Sequence, residues 1–203
     1  IVVTGASDGL GFESAKVLGA KGAQVIMACR NATKTHAAIA KIKSQFSHAQ
    51  LSYMHLDLSS LKSVNEFVKK YKQRYSKLDV LMNNAGVMIP PKLETEDGFE
   101  LQFGVNHLGH FALTSLLFDF LKETPKSRVI NVSSMAHESG KMNFSDLQRN
   151  QKYVRWDAYA QSKLANLLFT YELDRRLKQA NLNILSIATH PGYTATNLQY
   201  YGS

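Results

Sequence analysis

The hydrophobic and polar positions of this chain fall into two alternating kinds of segment. Short apolar runs rich in β-branched residues predict buried β-strands, at residues 1–3, 23–28, 51–55, 80–82, 129–132 and 184–188. Longer segments with apolar residues three and four apart predict helices, at residues 11–20, 34–46, 63–75, 98–121 and 159–178. Strands that alternate with helices form βαβ units, so we predict an α/β fold with a parallel sheet covered on both faces.

Length and composition narrow the class of protein further. A chain of 203 residues, 44% of them hydrophobic, can bury a sizeable core and fits a single domain over residues 1–203. Cys29 is the only cysteine and can form no internal disulfide, which is typical of a reducing compartment. No apolar run approaches the roughly 20 residues of a membrane span. The chain starts on a strand-like run without Met, so we expect residues before Ile1 and either a cytoplasmic or a membrane-associated location facing a reducing compartment.

The formal net charge is +8, carried mainly on predicted helices. Solvated helix faces account for such an excess, and a long-range field that attracts an anionic cofactor is the functional alternative. No nucleic-acid-binding module matches the sequence, so we expect no nucleic-acid partner.

The first predicted strand runs into a glycine-rich turn, TGASDGLG, followed by a helix. Ligands of open parallel sheets bind beyond the carboxyl ends of the strands. Gly5, Gly9 and Gly11 would let the backbone approach a pyrophosphate at the helix N-terminus. The spacing differs from GxGxxG, and a tight connection is the alternative. The context favours a dinucleotide, and with it a Rossmann-type doubly wound parallel sheet in three αβα layers.

The second strand ends in Cys29 and Arg30, without an acid. A carboxylate at this position usually binds the ribose hydroxyls of NAD, whereas an arginine can bind the 2′-phosphate of NADP. We therefore expect NADP(H) in preference to NAD(H), with a merely solvent-exposed arginine as the alternative.

Tyr159 and Lys163 are four residues apart in a predicted helix and are therefore neighbours. A nearby positive charge favours the phenolate, so the pair could carry a proton near neutral pH. An exposed tyrosine beside a solvated lysine is the alternative.

An ordered series of motifs resembles the short-chain dehydrogenase/reductase family from residue 1 to residue 198: TGASDGLG, HLDLSS, NNAG, VNHLGHF, INVSS, YAQSK and HPGYTATN. The stretches VIMACRN and VNHLGHF and the long connection from Ser134 to Tyr159 are similar to the retinol dehydrogenase and WW-domain oxidoreductase branch. MHLDLSSLKSV also resembles light-dependent protochlorophyllide oxidoreductases, but Tyr193 stands where that branch has a cysteine.

The resemblance implies hydride transfer between a nicotinamide cofactor and an alcohol, ketone or aldehyde, with a hydrophobic substrate expected. It assigns catalysis to Asn106, Ser134, Tyr159 and Lys163. Ser134 and Tyr159 would donate hydrogen bonds to the carbonyl oxygen as it becomes negative, and Tyr159 would transfer the proton. Lys163 would also hold the nicotinamide ribose, and Asn106 would hold a water that relays the proton.

The resemblance also implies a set of cofactor contacts: Gly5, Ser7, Gly9, Leu10 and Gly11 for the pyrophosphate, Arg30 for the 2′-phosphate, Asp57 and Leu58 for the adenine, Asn83, Ala85 and Gly86 for the adenosine ribose and strand support, and Pro191, Gly192 and Thr194 for the nicotinamide, beside Tyr159 and Lys163. One departure counts against NADP(H), because Asp8 stands where many NADPH-preferring members carry Lys or Arg. Family members continue beyond the last motif, so we expect a C-terminal part after Ser203; a homo-oligomer stays open.

Other chemistries find less support in the sequence. His107 and His110 lie three apart, but no third ligand has suitable spacing, so we expect no metal. The Gly-x-Ser-x-Gly elbow of a hydrolase is absent. Two alternatives stay open: a cofactor-binding regulatory or scaffold protein on the same fold, and a reductase of carbon–carbon double bonds resembling the protochlorophyllide enzymes.

Overall fold

The computed structural model describes residues 1–192, which form a parallel six-stranded sheet flanked by helices. The strands are β1 Val2–Thr4, β2 Gln24–Cys29, β3 Gln50–His55, β4 Val80–Asn83, β5 Arg128–Val132 and β6 Leu185–Thr189. The helices are α1 Gly9–Ala20, α2 Ala32–Gln45, α3 Leu61–Arg74, α4 Leu101–Phe103, α5 Gly109–Leu116, α6 Phe118–Glu123 and α7 Arg155–Gln179. Thr194, expected near the nicotinamide, lies outside the described residues.

The central strands are buried on both faces because alternate side chains enter two different cores. Val2 and Ile26 belong to the core on the side of α3, α5 and α7, whereas Val3, Val25 and Met27 belong to the core beneath α1 and α2. Successive residues of one strand therefore stabilise opposite layers, as a three-layer αβα fold requires.

The strand order is β3-β2-β1-β4-β5-β6, and every neighbouring pair is parallel. The chain builds outward from β1 to β3, then returns to place β4 on the other side of β1. This reversal leaves a crevice beyond the carboxyl ends of β1 and β4, where doubly wound sheets bind ligands. The predicted Rossmann-type fold is confirmed.

The prediction of one continuous helix over 98–121 is wrong. Gly98 sits in a turn with φ +78°, and the Glu100 carboxylate caps the helical segment by accepting the N–H groups of Gln102 and Phe103. After α4, residues Gly104–Leu108 form a π-helical turn before α5 begins, and the helix breaks again at Leu117. Such π-turns are frequent at functional sites, and this one carries Asn106.

The predicted start of the last helix is also late, since α7 begins at Arg155 rather than at Tyr159. Tyr159 and Lys163 thus lie in the second and third turns of a formed helix, where backbone hydrogen bonds fix their positions.

Candidate active site

A cleft of ≈ 400 Å³ opens beyond the carboxyl ends of the strands. It is bordered by residues that follow β1, β4, β5 and β6, and by the first turns of α7: Leu10, Asn84, Gly86, Met88, Val132, Ser133, Ser134, Met135, Ala136, Glu138, Ser139, Trp156, Tyr159, Lys163, Pro191 and Gly192. Its volume is in the range of small-molecule sites. The sheet therefore brings the predicted Ser134, Tyr159 and Lys163 to one wall of a cleft that starts at the glycine-rich turn.

Ser134 is the first polar group of this wall, two residues after β5 ends. Its Oγ accepts the backbone N–H of Ala136 at 3.2 Å, as the cap of a short 3₁₀ turn at Met135–Ser139. This bond occupies a lone pair of the hydroxyl and leaves its proton for the hydrogen bond to the Tyr159 phenol. The neighbouring Ser133 instead donates to the carbonyl of Lys163 at 2.8 Å, which ties the end of β5 to α7.

Tyr159 and Lys163 are both buried, with exposed fractions of 4% and 3%. Lys163 Nζ donates to the carbonyl oxygen of Val132 at 3.1 Å and lies 5.7 Å from the Tyr159 ring centroid. No carboxylate in residues 1–192 forms an ion pair with Lys163. The ammonium therefore has donors left for a ligand on the floor of the cleft.

Burial shifts the pKa of each group in the direction that disfavours its charged form. It raises the pKa of the Tyr159 phenol, and the hydrogen bond with Ser134 lowers that pKa by less. Burial also lowers the pKa of Lys163 to about 8. We expected Lys163 to lower the pKa of the Tyr159 phenol. In this structure the pKa is raised by burial, and Lys163 is not among the groups that lower it.

Asn106 lies directly behind this wall and is fully buried. Its Oδ1 accepts the N–H of Val87 at 2.8 Å, and its Nδ2 donates to the carbonyl of Val87 at 3.0 Å and to Ser162 Oγ at 2.9 Å. Its side chain is thus used to fasten the segment after β4 against α7. A Cβ on Gly86 would lie 3.2 Å from Asn106 Oδ1 and 3.6 Å from Lys163 Nζ, so the backbone at Gly86 passes close to both side chains.

The glycine-rich turn fits a pyrophosphate, although two of its glycines serve packing. Gly5 and Gly9 have positive φ values of +64° and +53°, which glycine adopts readily. A Cβ on Gly11 would lie 2.4 Å from the carbonyl oxygen of Gly5, and one on Gly5 would lie 2.9 Å from Ala85. Close packing of the turn places the N-terminus of α1 at the cleft, where its N–H groups favour an anion. Ser7 is half-buried in the same turn.

The segment after β4 is held by a hydroxyl that the sequence reasoning missed. Thr4 Oγ1 accepts the N–H groups of Asn84 and Ala85 at 2.9 and 3.0 Å. Asn84, also missed, donates from its amide to the carbonyl of Thr4 at 2.8 Å and borders the cleft. Asn83 points into the protein and donates to Thr114 and to Asn131 Oδ1. The adjacent NNAG asparagines thus point to opposite sides of the sheet, which the alternation along β4 could have indicated.

The residues expected to contact the 2′-phosphate and the adenine of a cofactor follow β2 and β3. The Arg30 side chain is 69% exposed, with Nε 4.0 Å from Asp57 Oδ2. Asp57 Oδ1 accepts the N–H and the hydroxyl of Ser59 at 2.9 and 2.6 Å, while Leu58 is buried in the core. Asp8 Oδ1 caps α1 by accepting the N–H of Gly9 at 2.7 Å.

The outer half of the cleft is mainly apolar, and no sequence motif pointed to it. Met88, Met135 and Trp156 border this half, and the Trp156 Nε1–H donates to Ser139 Oγ at 3.2 Å. The Trp156 ring lies 6.0 Å from the Tyr159 ring, centroid to centroid. Glu138 is an exposed charge at the same rim.

The two histidines of VNHLGHF have structural partners. His110 Nδ1 bonds the Asn106 carbonyl at 3.0 Å and its Nε2 bonds Thr4 Oγ1 at 2.9 Å, while burial lowers its pKa to about 4. His107 Nδ1 bonds Asn166 Oδ1 at 3.2 Å. Among residues 1–192, no three His, Cys, Asp or Glu side chains gather as metal ligands would. The helices of that range are all too short or too polar to cross a membrane.

Comparison with known proteins agrees with this geometry. The family model described as short chain dehydrogenase matches residues 1–201. Human retinol dehydrogenase 13 is 47% identical over 199 residues, which cover 98% of this chain. The chain spans 60% of the length of that relative.

Two solved structures have the same architecture. An uncharacterized protein from Mycobacterium paratuberculosis superposes with a TM-score of 0.86 at 47% identity, covering 99% of this chain and 70% of that one. A protein of Escherichia coli CFT073, described as a short chain dehydrogenase complexed with NADPH, superposes with a TM-score of 0.79 at 25% identity, covering 99% of this chain and 79% of that one. The chain therefore belongs to the short-chain dehydrogenase/reductase family, in the retinol dehydrogenase-like branch.

Proposed function

We propose that the protein is an NAD(P)-dependent oxidoreductase that interconverts a hydrophobic alcohol and its aldehyde or ketone. The observation that carries the proposal is the placement of Ser134, Tyr159 and Lys163 on one wall of the cleft, beside the glycine-rich turn. A hydrogen-bond donor, a proton carrier and a cation there meet the needs of carbonyl reduction. A bound nicotinamide would supply or accept the hydride.

The Ser134 hydroxyl, which would turn from Tyr159 to the substrate, and the Tyr159 phenol stabilise the substrate oxygen as it becomes negative. Tyr159 then donates its proton to that oxygen, or accepts it in the oxidising direction. Lys163 is cationic at pH 7 because its pKa lies near 8. Its remaining donors would hold the nicotinamide ribose, and the charge of a bound oxidised nicotinamide would oppose the effect of burial on the pKa of the phenol.

Asn106 acts in this proposal through the backbone rather than through a side-chain contact with substrate. Its side-chain amide bonds both the N–H and the carbonyl of Val87, and this holds the backbone at Gly86 next to Lys163. The main-chain carbonyl of Asn106 accepts one bond from His110 and keeps a second lone pair, with which it would hold the water of a proton relay.

The proposed cofactor is NADP(H) in preference to NAD(H). Arg30 is exposed at the end of β2, and its contact with Asp57 is long enough for a 2′-phosphate to replace it. The Asp8 carboxylate already bonds the N-terminus of α1, which reduces its repulsion toward a phosphate. An NADPH complex of a relative at 25% identity supports the same choice.

The proposed substrate is apolar beyond its reacting carbon. Met88, Met135 and Trp156 offer a flexible and aromatic surface, and methionines adapt well to irregular apolar ligands. The relative named retinol dehydrogenase supports a long apolar alcohol or aldehyde. No specific contact among the described residues of the cleft favours a scaffold role or the reduction of carbon–carbon double bonds.

The test compares the full-length protein with its Tyr159→Phe variant, using NADPH and a panel of all-trans-retinal, nonanal and cyclohexanone. We expect aldehyde reduction by the wild type and a turnover lower by at least about 100-fold in the variant, because the proton carrier is lost. Tyr171→Phe is the matched control, since Tyr171 is an exposed tyrosine of the same helix. Cofactor binding without turnover of any substrate would favour a scaffold, and equal turnover by Tyr159→Phe would refute the assigned role.

A further inference from the structure

A strained residue lies beside the substrate half of the cleft. Ile89 has φ +56°, a conformation that is unfavourable for a β-branched residue and for one that precedes proline. Its neighbour Met88 borders the cleft and packs against Ala136 and Tyr159. Strain of this kind persists only where the surrounding structure imposes it, and it is enriched at ligand sites.

The side chain of Gln102 bonds the backbone of this strained residue. The side chain is fully buried, and its Oε1 accepts the N–H of Ile89 at 3.0 Å. Its Nε2 donates to Tyr153 Oη at 3.1 Å and to the carbonyl of Arg155 at 2.9 Å. The amide orientation is settled by chemistry, because the flipped form would point a donor at the Ile89 N–H and an acceptor at the Arg155 carbonyl.

The far end of this amide contacts the helix that carries the proton carrier. Arg155 is the first residue of α7, and its carbonyl is the α-helical acceptor for the N–H of Tyr159. Gln102 therefore joins the backbone beside Met88 to the first turn of α7, one turn before Tyr159.

A second amide acts in parallel one helical turn later. Asn106 holds both backbone groups of Val87, and positions 102 and 106 are neighbours on the same helical segment. The strap formed by residues 87–89 is thus clamped at both ends, at Val87 by Asn106 and at Ile89 by Gln102. Met88 is presented to the cleft between the two clamps.

We infer that Gln102 is a positioning residue that sets the distance between the Met88 side chain and Tyr159. This distance determines how tightly the cleft holds the apolar part of the substrate. The inference rests on the proposed function for its kinetic consequence. Without the Gln102 acceptor, Ile89 relaxes out of its strained conformation and carries Met88 away from the cleft.

The test uses the full-length protein as wild type, Gln102→Leu, Ile89→Gly and the double variant. Leu keeps the volume of the side chain and removes its three hydrogen bonds. We expect Gln102→Leu to raise KM for the best aldehyde of the panel about tenfold, with little change in NADPH affinity. Glycine adopts positive φ readily, so Ile89→Gly should bring the KM of the double variant most of the way back to that of Ile89→Gly alone.

A readout without turnover is the ¹³C-methyl resonance of Met88 in methionine-labelled protein, identified by Met88→Leu. We expect Gln102→Leu to shift it and the double variant to return it. Gln161→Leu is the matched control, because Gln161 is an equally buried amide that holds Asn143 and Leu147 instead. The Met88 resonance tests the inference even if the protein reduces no substrate. Absence of turnover would refute the proposed function and leave the inference to be judged by the resonance.

A Met88 resonance unchanged by Gln102→Leu, or a raised KM that Ile89→Gly does not lower, would overturn the inference. Should Gln102→Leu fail to fold, Tyr153→Phe removes one partner of the same amide while keeping its ring. We then expect a smaller shift in the same direction, again reversed by Ile89→Gly, and no shift at all would equally overturn the inference.

Discussion

Replacing Lys163 by methionine should make the protein more stable at pH 7 while it removes the proposed activity. The ammonium of Lys163 is buried without a carboxylate partner in residues 1–192, and burial lowers its pKa from 10.5 to about 8. The folded state therefore holds this cation at a cost that the unfolded state does not have. Methionine has a similar length, carries no charge and adapts to the space that the lysine leaves.

The expected gain follows from the shift in pKa. A change from 10.5 to about 8 corresponds to about 3 kcal/mol of destabilisation when lysine is protonated in both states. Methionine loses the bond to the Val132 carbonyl, worth about 1 kcal/mol, although Asn166 Nδ2 still donates to that oxygen at 3.4 Å. The net gain at pH 7 is about 2 kcal/mol, or a rise in Tm of about 4–8 °C for a domain of this size.

The pH dependence separates this cause from better packing. Between pH 8 and pH 10.5 the unfolded state binds more protons at Lys163 than the folded state, so wild-type stability rises with pH over that window. The advantage of Lys163→Met is therefore complete below pH 8 and should vanish before pH 10.5, beyond which the lost bond to Val132 would leave the variant about 1 kcal/mol less stable than the wild type.

Urea denaturation of both proteins at pH 7 and at pH 10 measures the difference directly. Lys69→Met, at an exposed lysine of α3, controls for the loss of a surface charge. A wild type at least as stable as Lys163→Met at pH 7, or an advantage of the variant that persists unchanged at pH 10, would show that the buried ammonium is not the source of the cost.

Two further variants test the cofactor site by calorimetry. Arg30→Ala should weaken NADPH binding about tenfold and leave NADH binding unchanged, because only NADPH carries the phosphate that forms a charge-assisted bond; Arg128→Ala, at the opposite end of the sheet, should change neither. Equal effects on both cofactors would contradict a contact of Arg30 with the 2′-phosphate, and tighter NADH binding by the wild type with NADPH affinity unchanged in Arg30→Ala would show that Asp8 dominates. Gly11→Ala should weaken binding of both cofactors and lower Tm, because its Cβ would lie 2.4 Å from the Gly5 carbonyl oxygen and the turn would have to move; binding like that of the wild type would contradict a tightly packed turn.

The sheet could be predicted from sequence because its signal is local and strong. Val25, Ile26 and Met27 form a continuous apolar run since β2 is covered on both faces, and such runs identify central strands without knowledge of their partners. The position of Ser134 at the cleft was predictable for a related reason, because it follows β5 and parallel strands all end at one edge. Tyr159 and Lys163 follow no strand directly, and their place beside Ser134 was expected from the family resemblance.

The helical segment with Asn106 could not be predicted at the same level. Its apolar spacing is compatible with one continuous helix, and nothing local distinguishes the π-helical turn at Gly104–Leu108. The turn depends on long-range contacts: a Cβ on Gly104 would lie 2.4 Å from Thr95, and one on Gly109 would lie 2.6 Å from the Leu58 carbonyl. Gln102 likewise gives no signal in the sequence, since its partners Ile89, Tyr153 and Arg155 come from distant segments.

The groups of this fold that lower its stability lie at the proposed active site. Burial raises the pKa of Tyr159 and lowers that of Lys163, which disfavours the charged form of each group. The same burial excludes water, and a dry site strengthens the interaction of both groups with charge that develops on a substrate oxygen. A residue selected for stability alone would not be a lysine at position 163. A destabilising ammonium in the cleft and a strained Ile89 next to the cleft residue Met88 together argue for a binding site more strongly than either feature does alone.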